Sequence, residues 1–289
     1  MTTLTIDRRN FIKGTLAAAI AAGSAAPLTA AASTGRCNLE VGRHARVWGA
    51  DGELFEIRAV DNQVVRLSPD GRTTLWVFGS PDDHTTLNHP VQAAVGPAGR
   101  LFVVDRGNHR VVVLGPNGRR LGTIGSVGSG PGQLDSPIDI AIDRRGIVHV
   151  LDPFNQRVQR FETSGRPAGV MPLDGSDDSP SMNHPLAADF DVDGNLHVAD
   201  FDGSIAVLDP DGHAVARYGS KLRAPRGVAV DEQRNSFVAE RFDGVVQVFA
   251  SDGTPLERRA IWLEGRSAHP THLAWAPDGS IYVRALPGA

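Results

Sequence analysis

The sequence has one cysteine, Cys37, in 289 residues, so no intramolecular disulfide can form. Cys37 follows Thr34-Gly35-Arg36, and an arginine directly before the cysteine spoils a lipoprotein signal; the thiol reads as incidental rather than nucleophilic. There is no Gly-x-Ser-x-Gly elbow, which argues against a serine mechanism of the α/β-hydrolase type. The glycine-rich run Gly125 to Gly132 lacks the Lys-Ser/Thr of a phosphate-binding loop and lies between strand patterns, so it reads as a linker. Long apolar runs are missing, which points to a soluble chain. No strong positive charge is present either. The formal charge is -4, and it becomes -6 without residues 1–32, which argues against nucleic acid or an anionic membrane as the main partner.

What is abundant is turn chemistry. Thirty-two glycines and nineteen prolines are scattered among short apolar-alternating segments, as in a turn-rich all-β protein large enough for a sizeable core. The stretch from Asn88 to Pro137 shows the unit. Val91 to Val95, Leu101 to Asp105, Arg110 to Leu114 and Arg119 to Ile124 are four short strands with period-2 patterning, separated by Gly96-Pro97-Ala98-Gly99, Arg106-Gly107-Asn108-His109 and Gly115-Pro116-Asn117-Gly118. This is the pattern of one β-propeller blade. Gly52, Gly99, Gly146, Gly194, Asn235 in the place of glycine, and Gly279 mark the first turn of successive units, at gaps of 47, 47, 48, 41 and 44 residues. Five units are complete and the sixth stops after two strands. An open ring would expose unpaired strand edges. Asn38 to Val41 is the free segment that can complete the last unit, which predicts an all-β, six-bladed propeller over 33–289 closed by its N-terminal strand. A five-bladed ring with a loose tail is the alternative. Phe161, Phe249 and the four tryptophans are expected between the sheets, although tryptophans also stack ligands.

The N-terminal 32 residues have the order of an export signal. Arg8-Arg9-Asn10-Phe11-Ile12-Lys13 precedes an alanine-rich apolar stretch and a small-residue site ending at Ala32. The paired arginines resemble a twin-arginine signal, with Asp7 and Ile12 as departures; the resemblance implies export of the folded protein and a periplasmic or secreted location.

Val103-Val104-Asp105-Arg106-Gly107-Asn108-His109-Arg110-Val111, flanked by Pro-Ala-Gly and Pro-Asn-Gly, resembles the NHL repeat. Pro137 to Gly165 matches through Asp152, Asn155, Arg157 and Val158, and weaker matches extend the resemblance over about residues 44 to 286. Asp105 with Arg110 and Asp152 with Arg157 are expected to pair across the second turn; Asp200 meets Ser204, Glu240 meets Val245, and Arg284 is read at the acid's position in the last unit. The resemblance implies a propeller of the NHL type, a fold used for docking, for sensing and by the amidating lyase of peptidyl-hydroxyglycine. That lyase carries histidines directly after the proline opening an inner strand. Val91, Ile138, Leu186, Arg226 and Thr271 stand there, so its zinc site does not carry over.

One constellation points to chemistry. His89-Pro90, His184-Pro185 and His269-Pro270 open the inner strands of alternate units, and His272 follows two residues on. Acids precede each in its loop, Asp82 and Asp83, Asp177 and Asp178, and Glu264, while Asp105, Asp152, Asp200 and Glu240 end strands on the same face. Histidines backed by carboxylates are the ingredients of a zinc or calcium site, with His89, His184 and His269 as candidate ligands. The bland alternative is that His-Pro is ordinary spelling at a repeat position. The expectation is therefore a monomeric binding module for a protein, a peptide or a small polar ligand, using His89, His184, His269, His272, Asp105, Asp152, Asp200 and Arg226 at the channel mouth. The alternative is a lyase or hydrolase that uses a divalent metal on the same rim.

Overall fold

Six four-stranded sheets stand radially around one axis in the computed structural model, which describes residues 39–176 and 178–288. The segment expected to be the export signal, Cys37 and Asp177 lie outside the described residues. Blades 1 to 5 are antiparallel meanders that run outward from the axis. Their inner strands are Ala45–Trp48, Pro90–Val95, Asp139–Ile142, Pro185–Phe190 and Pro225–Val230. Their second strands are Leu54–Arg58, Leu101–Asp105, Val148–Asp152, Leu196–Asp200 and Ser236–Glu240.

Blade 6 has Arg266–Trp275 as inner strand and Ile281–Pro287 as second strand, and Leu39–Gly42 supplies the third. The expected closure is therefore present. The closing strand runs parallel to its neighbour, Leu39 beside Ile281 and Val41 beside Val283, where the third strand of every other blade is antiparallel. The reason is directional. Inner strands start on the face that carries the second turns, so the segment leading into Ala45 has to arrive on that face, as a strand parallel to Ile281–Pro287 does. A short strand, Trp262–Leu263, pairs with Arg266 and Ser267 ahead of the blade.

The core is a set of apolar wedges between adjacent sheets. Between blades 2 and 3 it holds Phe102, Val104, Ile124, Val148 and Phe161, and between blades 4 and 5 Ile205, Val238 and Phe249. The second residue of each second strand is the wedge's large ring: Phe55, Phe102, His149, His197, Phe237 and Tyr282, all buried. Trp48 and Trp275 meet Tyr282 and Phe237 edge to face, and the Trp76 indole donates to the Pro116 carbonyl. Trp262 departs from the expectation and is exposed.

Register corrects two alignments. The left-handed turn residue of blade 5 is Arg234 (φ 64°), not Asn235, which instead donates its side-chain amide to Asp231 as Asn195 does to Asp191. In blade 6, Pro270 pairs with Ala285, so Ala285 and not Arg284 holds the place of the strand-end acid. Arg284 stands where the other second strands place Ile57, Val104, Leu151, Ala199 and Ala239, all of them buried.

Candidate functional site

The strand-end acids work as clamps inside the mouth face. Asp105 accepts from the Asn88 amide (2.6 Å), the Asn108 side chain and Arg110 Nε (2.8 Å). Asp152 repeats this with the Asp135 amide, Asn155 and Arg157 Nε, while Arg157 donates on to the carbonyls of Ser129, Gly130 and Gln133. Asp200 takes the amides of Asn183 and His184, and Glu240 takes that of Arg223. Each acid ties the loop entering its own blade to the end of the second strand. Asp105, Asp152 and Asp200 are 0 % exposed, so the groups expected to face a ligand are enclosed instead. Burial with every oxygen paired is the arrangement in which a carboxylate stabilises.

The histidines of the mouth are kept apart. His89, in a left-handed conformation (φ 51°), is exposed, and its amide donates to Asn62. His184 is exposed beside Phe201, and His269 places Nδ1 2.8 Å from the Arg241 carbonyl. The three rings bring no set of ligand atoms within 4.8 Å of one another. A three-histidine zinc centre, with bonds of ~2.0–2.1 Å, therefore does not fit. Two of the loop acids are also committed: Asp83 holds Thr85 and Thr86, and Glu264 pairs with Arg43. Among the described residues one group of three potential metal ligands comes together, Asp209, Asp211 and His213, on an outer turn of blade 4.

The concave site lies at the opposite end of the axis. A cavity of about 720 Å3 starts at Val47, Gln92, Asp139, Ala187, Gly227 and His272 of the inner strands and opens among the first turns, at Asp143 to Arg145, Asp191 to Gly194 and Asp231–Glu232. Its inner end is a polar layer. The Gln92 side chain lies 2.8 Å from His272 Nδ1 and also bonds Asp139. Asp139 accepts from its own neighbour's amide, Ile140, and from the Ala188 amide of blade 4, both at 2.8 Å. Asp189 does the same one blade on, with Phe190 and Val230. Inner strands have a free edge at the axis, and these side chains satisfy amides that water would otherwise have to reach. Burial, and then the Asp189 charge, push the Asp139 carboxyl up to about 7. Burial and the nearby Arg284 charge hold His272 down to about 4.

Farther along the wall stands His149. It is 4 % exposed, edge-on to Phe190 with ring centroids 4.8 Å apart, and neither ring nitrogen has a hydrogen-bond partner. The Asp143 carboxylate lies 3.5 Å from its Nε2 but is engaged by Arg145 and the turn amides. Burial therefore wins over that charge and holds His149 down to about 4. His197, its counterpart in blade 4, differs in having the Tyr218 hydroxyl at 3.0 Å from Nδ1.

Of the residues expected at a ligand site only His272 lines this cavity. Asp139, His149, Asp189, Asp191, Asp231 and Glu232 were not anticipated. Their signal in the sequence was faint, a histidine where sister blades have phenylalanine and an acid where they have glutamine or alanine.

Fold and site together define a six-bladed β-propeller with an acidic axial cavity. A sequence model of the NHL repeat matches residues 87–114, which is blade 2 from its entry loop to the end of its third strand. No curated protein matches the chain in sequence. Among solved structures it is similar to a streptogramin B lyase (14% identity, TM-score 0.61, 84% of this chain and 90% of that one). It is also similar to a catalytically inactive virginiamycin B lyase from Staphylococcus aureus with quinupristin (12%, 0.64, 84% and 77%). A gluconolactonase from Xanthomonas campestris is a further match (19%, 0.61, 85% and 82%). At these identities the likeness shows the propeller fold.

Proposed function

We propose that this protein is a binding propeller that takes a small, polar, positively charged ligand into its axial cavity. One observation carries the reading: the cavity walls present Asp143, Asp189, Asp191, Asp193, Asp231 and Glu232, beside the half-protonated Asp139, against two guanidiniums, Arg144 and Arg145. A recess lined by one sign of charge focuses potential and concentrates counter-charged ligands. Its volume lies within the usual range for small-molecule sites, roughly 300–1,000 Å3. The binding role is the one expected from the sequence, moved from the histidine rim to the other end of the axis.

The test is a thermal-unfolding titration with 1,4-diaminobutane against sodium chloride of equal ionic strength. A saturable rise in the midpoint with the diamine, lost in Asp193→Asn/Glu232→Gln, supports the reading. Equal responses to diamine and salt overturn it.

A second reading is a lyase or hydrolase acting in this cavity. It is favoured by the lyases and the gluconolactonase among the structural neighbours and by His149, whose buried ring nitrogens make no hydrogen bond. Its metal-dependent form is less well supported, because the described cavity residues bring no three ligand atoms together. Loss of turnover in His149→Gln, with diamine binding kept, would favour this reading over simple binding. We further propose export by the twin-arginine route, with cleavage after Ala32, on the strength of the Arg8-Arg9 segment.

A further inference from the structure

The mouth opposite the cavity collects arginines that have no ion-pair partner among the described residues. Arg284 occupies a position that is buried and apolar in the other five blades, and Arg226 one that is Val91, Ile138 and Leu186 in blades 2 to 4. Arg106 and Arg241 directly follow the strand-end acids Asp105 and Glu240. Among the described residues none of the four guanidiniums makes an ion pair, and the Nε atoms of Arg226 and Arg284 are buried without a hydrogen bond. They act on one another across the axis. Arg226 of blade 5 is pushed down by burial, then by Arg241 beside it and by Arg106 of blade 2. His89 is pushed down by burial, then by Arg106 and Arg284. Three acids of this face are turned to other arginines: Asp105 to Arg110, Asp152 to Arg157, Asp243 to Arg223 and Arg258.

Like charges gathered in a half-buried ring, with donors left unmade, are costly to hold without a counter-charge. Guanidiniums are also the side chains best shaped for oxyanions, giving paired, charge-assisted hydrogen bonds. We propose that the channel mouth is an anion site in which Arg106, Arg226, Arg241 and Arg284 hold a small dianion, a phosphate or a dicarboxylate, on the molecular axis. Gln92, Asp139 and His272 form the inner end of the acidic cavity, between it and this site, so the two ends of the axis take ligands of opposite charge.

The experiment is calorimetric titration of the full protein with inorganic phosphate and, separately, with succinate, in sodium chloride of constant ionic strength. The parent binds at least one of the two saturably. Arg284→Leu, which restores the apolar residue of the sister blades, and Arg226→Leu each weaken that binding by about tenfold or more, the scale of one lost charge-assisted hydrogen bond. Unfolding midpoints without anion confirm that each variant is folded, and either variant alone suffices. Binding of phosphate but not succinate assigns the site to a phosphoryl group, and the reverse to carboxylates. No binding of either anion beyond the chloride background, or parent-like affinity in the folded variants, overturns the proposal. The diamine titration of the cavity is the independent control, because a failure there leaves this site untouched.

Discussion

Replacing His149 by phenylalanine should make the protein more stable, and increasingly so as the solution is acidified. The side chain sits in a wedge where blades 1, 2 and 5 carry Phe55, Phe102 and Phe237, so a benzyl ring has sister sites that accept it. Both imidazole nitrogens are buried without a hydrogen bond. An unmade hydrogen bond on a buried polar group costs about 1–3 kcal/mol, so His149→Phe should gain about 1–2 kcal/mol at pH 7.5 after some loss to the larger ring. The acid response follows from linkage. Burial holds the native imidazole down to about 4 from its ordinary 6.5. Between those values the unfolded chain binds a proton that the native state refuses, so stability falls as pH drops from 6.5 and levels off below 4. At pH 4.5 this one group removes roughly 2–3 kcal/mol, which the phenylalanine variant keeps. His272, held down to about 4, adds a loss of the same sign in both proteins. Asp139, raised to about 7, acts oppositely, since the native state then binds the extra proton and gains stability as pH falls from 7 toward 4. Both terms cancel in the comparison. The assay is guanidinium unfolding of parent and His149→Phe at pH 7.5 and 4.5. An advantage that does not widen between the two would refute the reasoning.

Two other outcomes follow from the clamps and the leader. Asp152→Ala leaves Arg157 enclosed with its carboxylate gone and should cost about 3–5 kcal/mol. Asp200→Ala, which strands only the Asn183 and His184 amides, should cost about 1–3 kcal/mol; denaturant midpoints that rank the two equally would mean the arginine adds nothing. Arg8→Lys with Arg9→Lys should leave the protein in the cytoplasmic fraction of an expressing bacterium with residues 1–32 attached, and undiminished export would count against the twin-arginine route.

Sequence carries the architecture here because a propeller states its rule six times. Turn residues, alternation and the leftover Asn38 to Val41 segment sufficed to place the closing strand, since an unfinished sheet has few other ways to cover its edge. The clamp Asp105–Arg110 and its copy Asp152–Arg157 were legible for the same reason. What alternation could not show is which way a polar side chain turns once two strands lie against an axis. Asp139 and Asp189 look like isolated acids in apolar strands, yet each caps two amides of neighbouring blades. His89, His184 and His269 share a spelling, but the fold sends one to a carbonyl, one to Phe201 and one to solvent, so regular spacing did not become convergence. The placing of Asn235 at the blade 5 turn failed for a plainer reason. Arg234 adopts the left-handed turn that glycine fills elsewhere, at a typical cost of ~1–2 kcal/mol, and its guanidinium bonds Asp193.

In a repeat protein the informative residue is the one that breaks the repeat. Where five blades agree on an apolar side chain, the structural requirement at that position is already known, and a sixth blade that spends a guanidinium there must be answering a different demand. Arg284 is such a residue, and the same logic reaches Arg226 and His149 in their own series. Each therefore comes with a built-in control, the residue of its sister blades, whose introduction removes the special chemistry while keeping the packing. A residue serving only the fold loses nothing by that exchange. If Arg284→Leu leaves the protein at least as stable as before and takes away a ligand, the arginine is held against the interest of the fold and for the sake of the site.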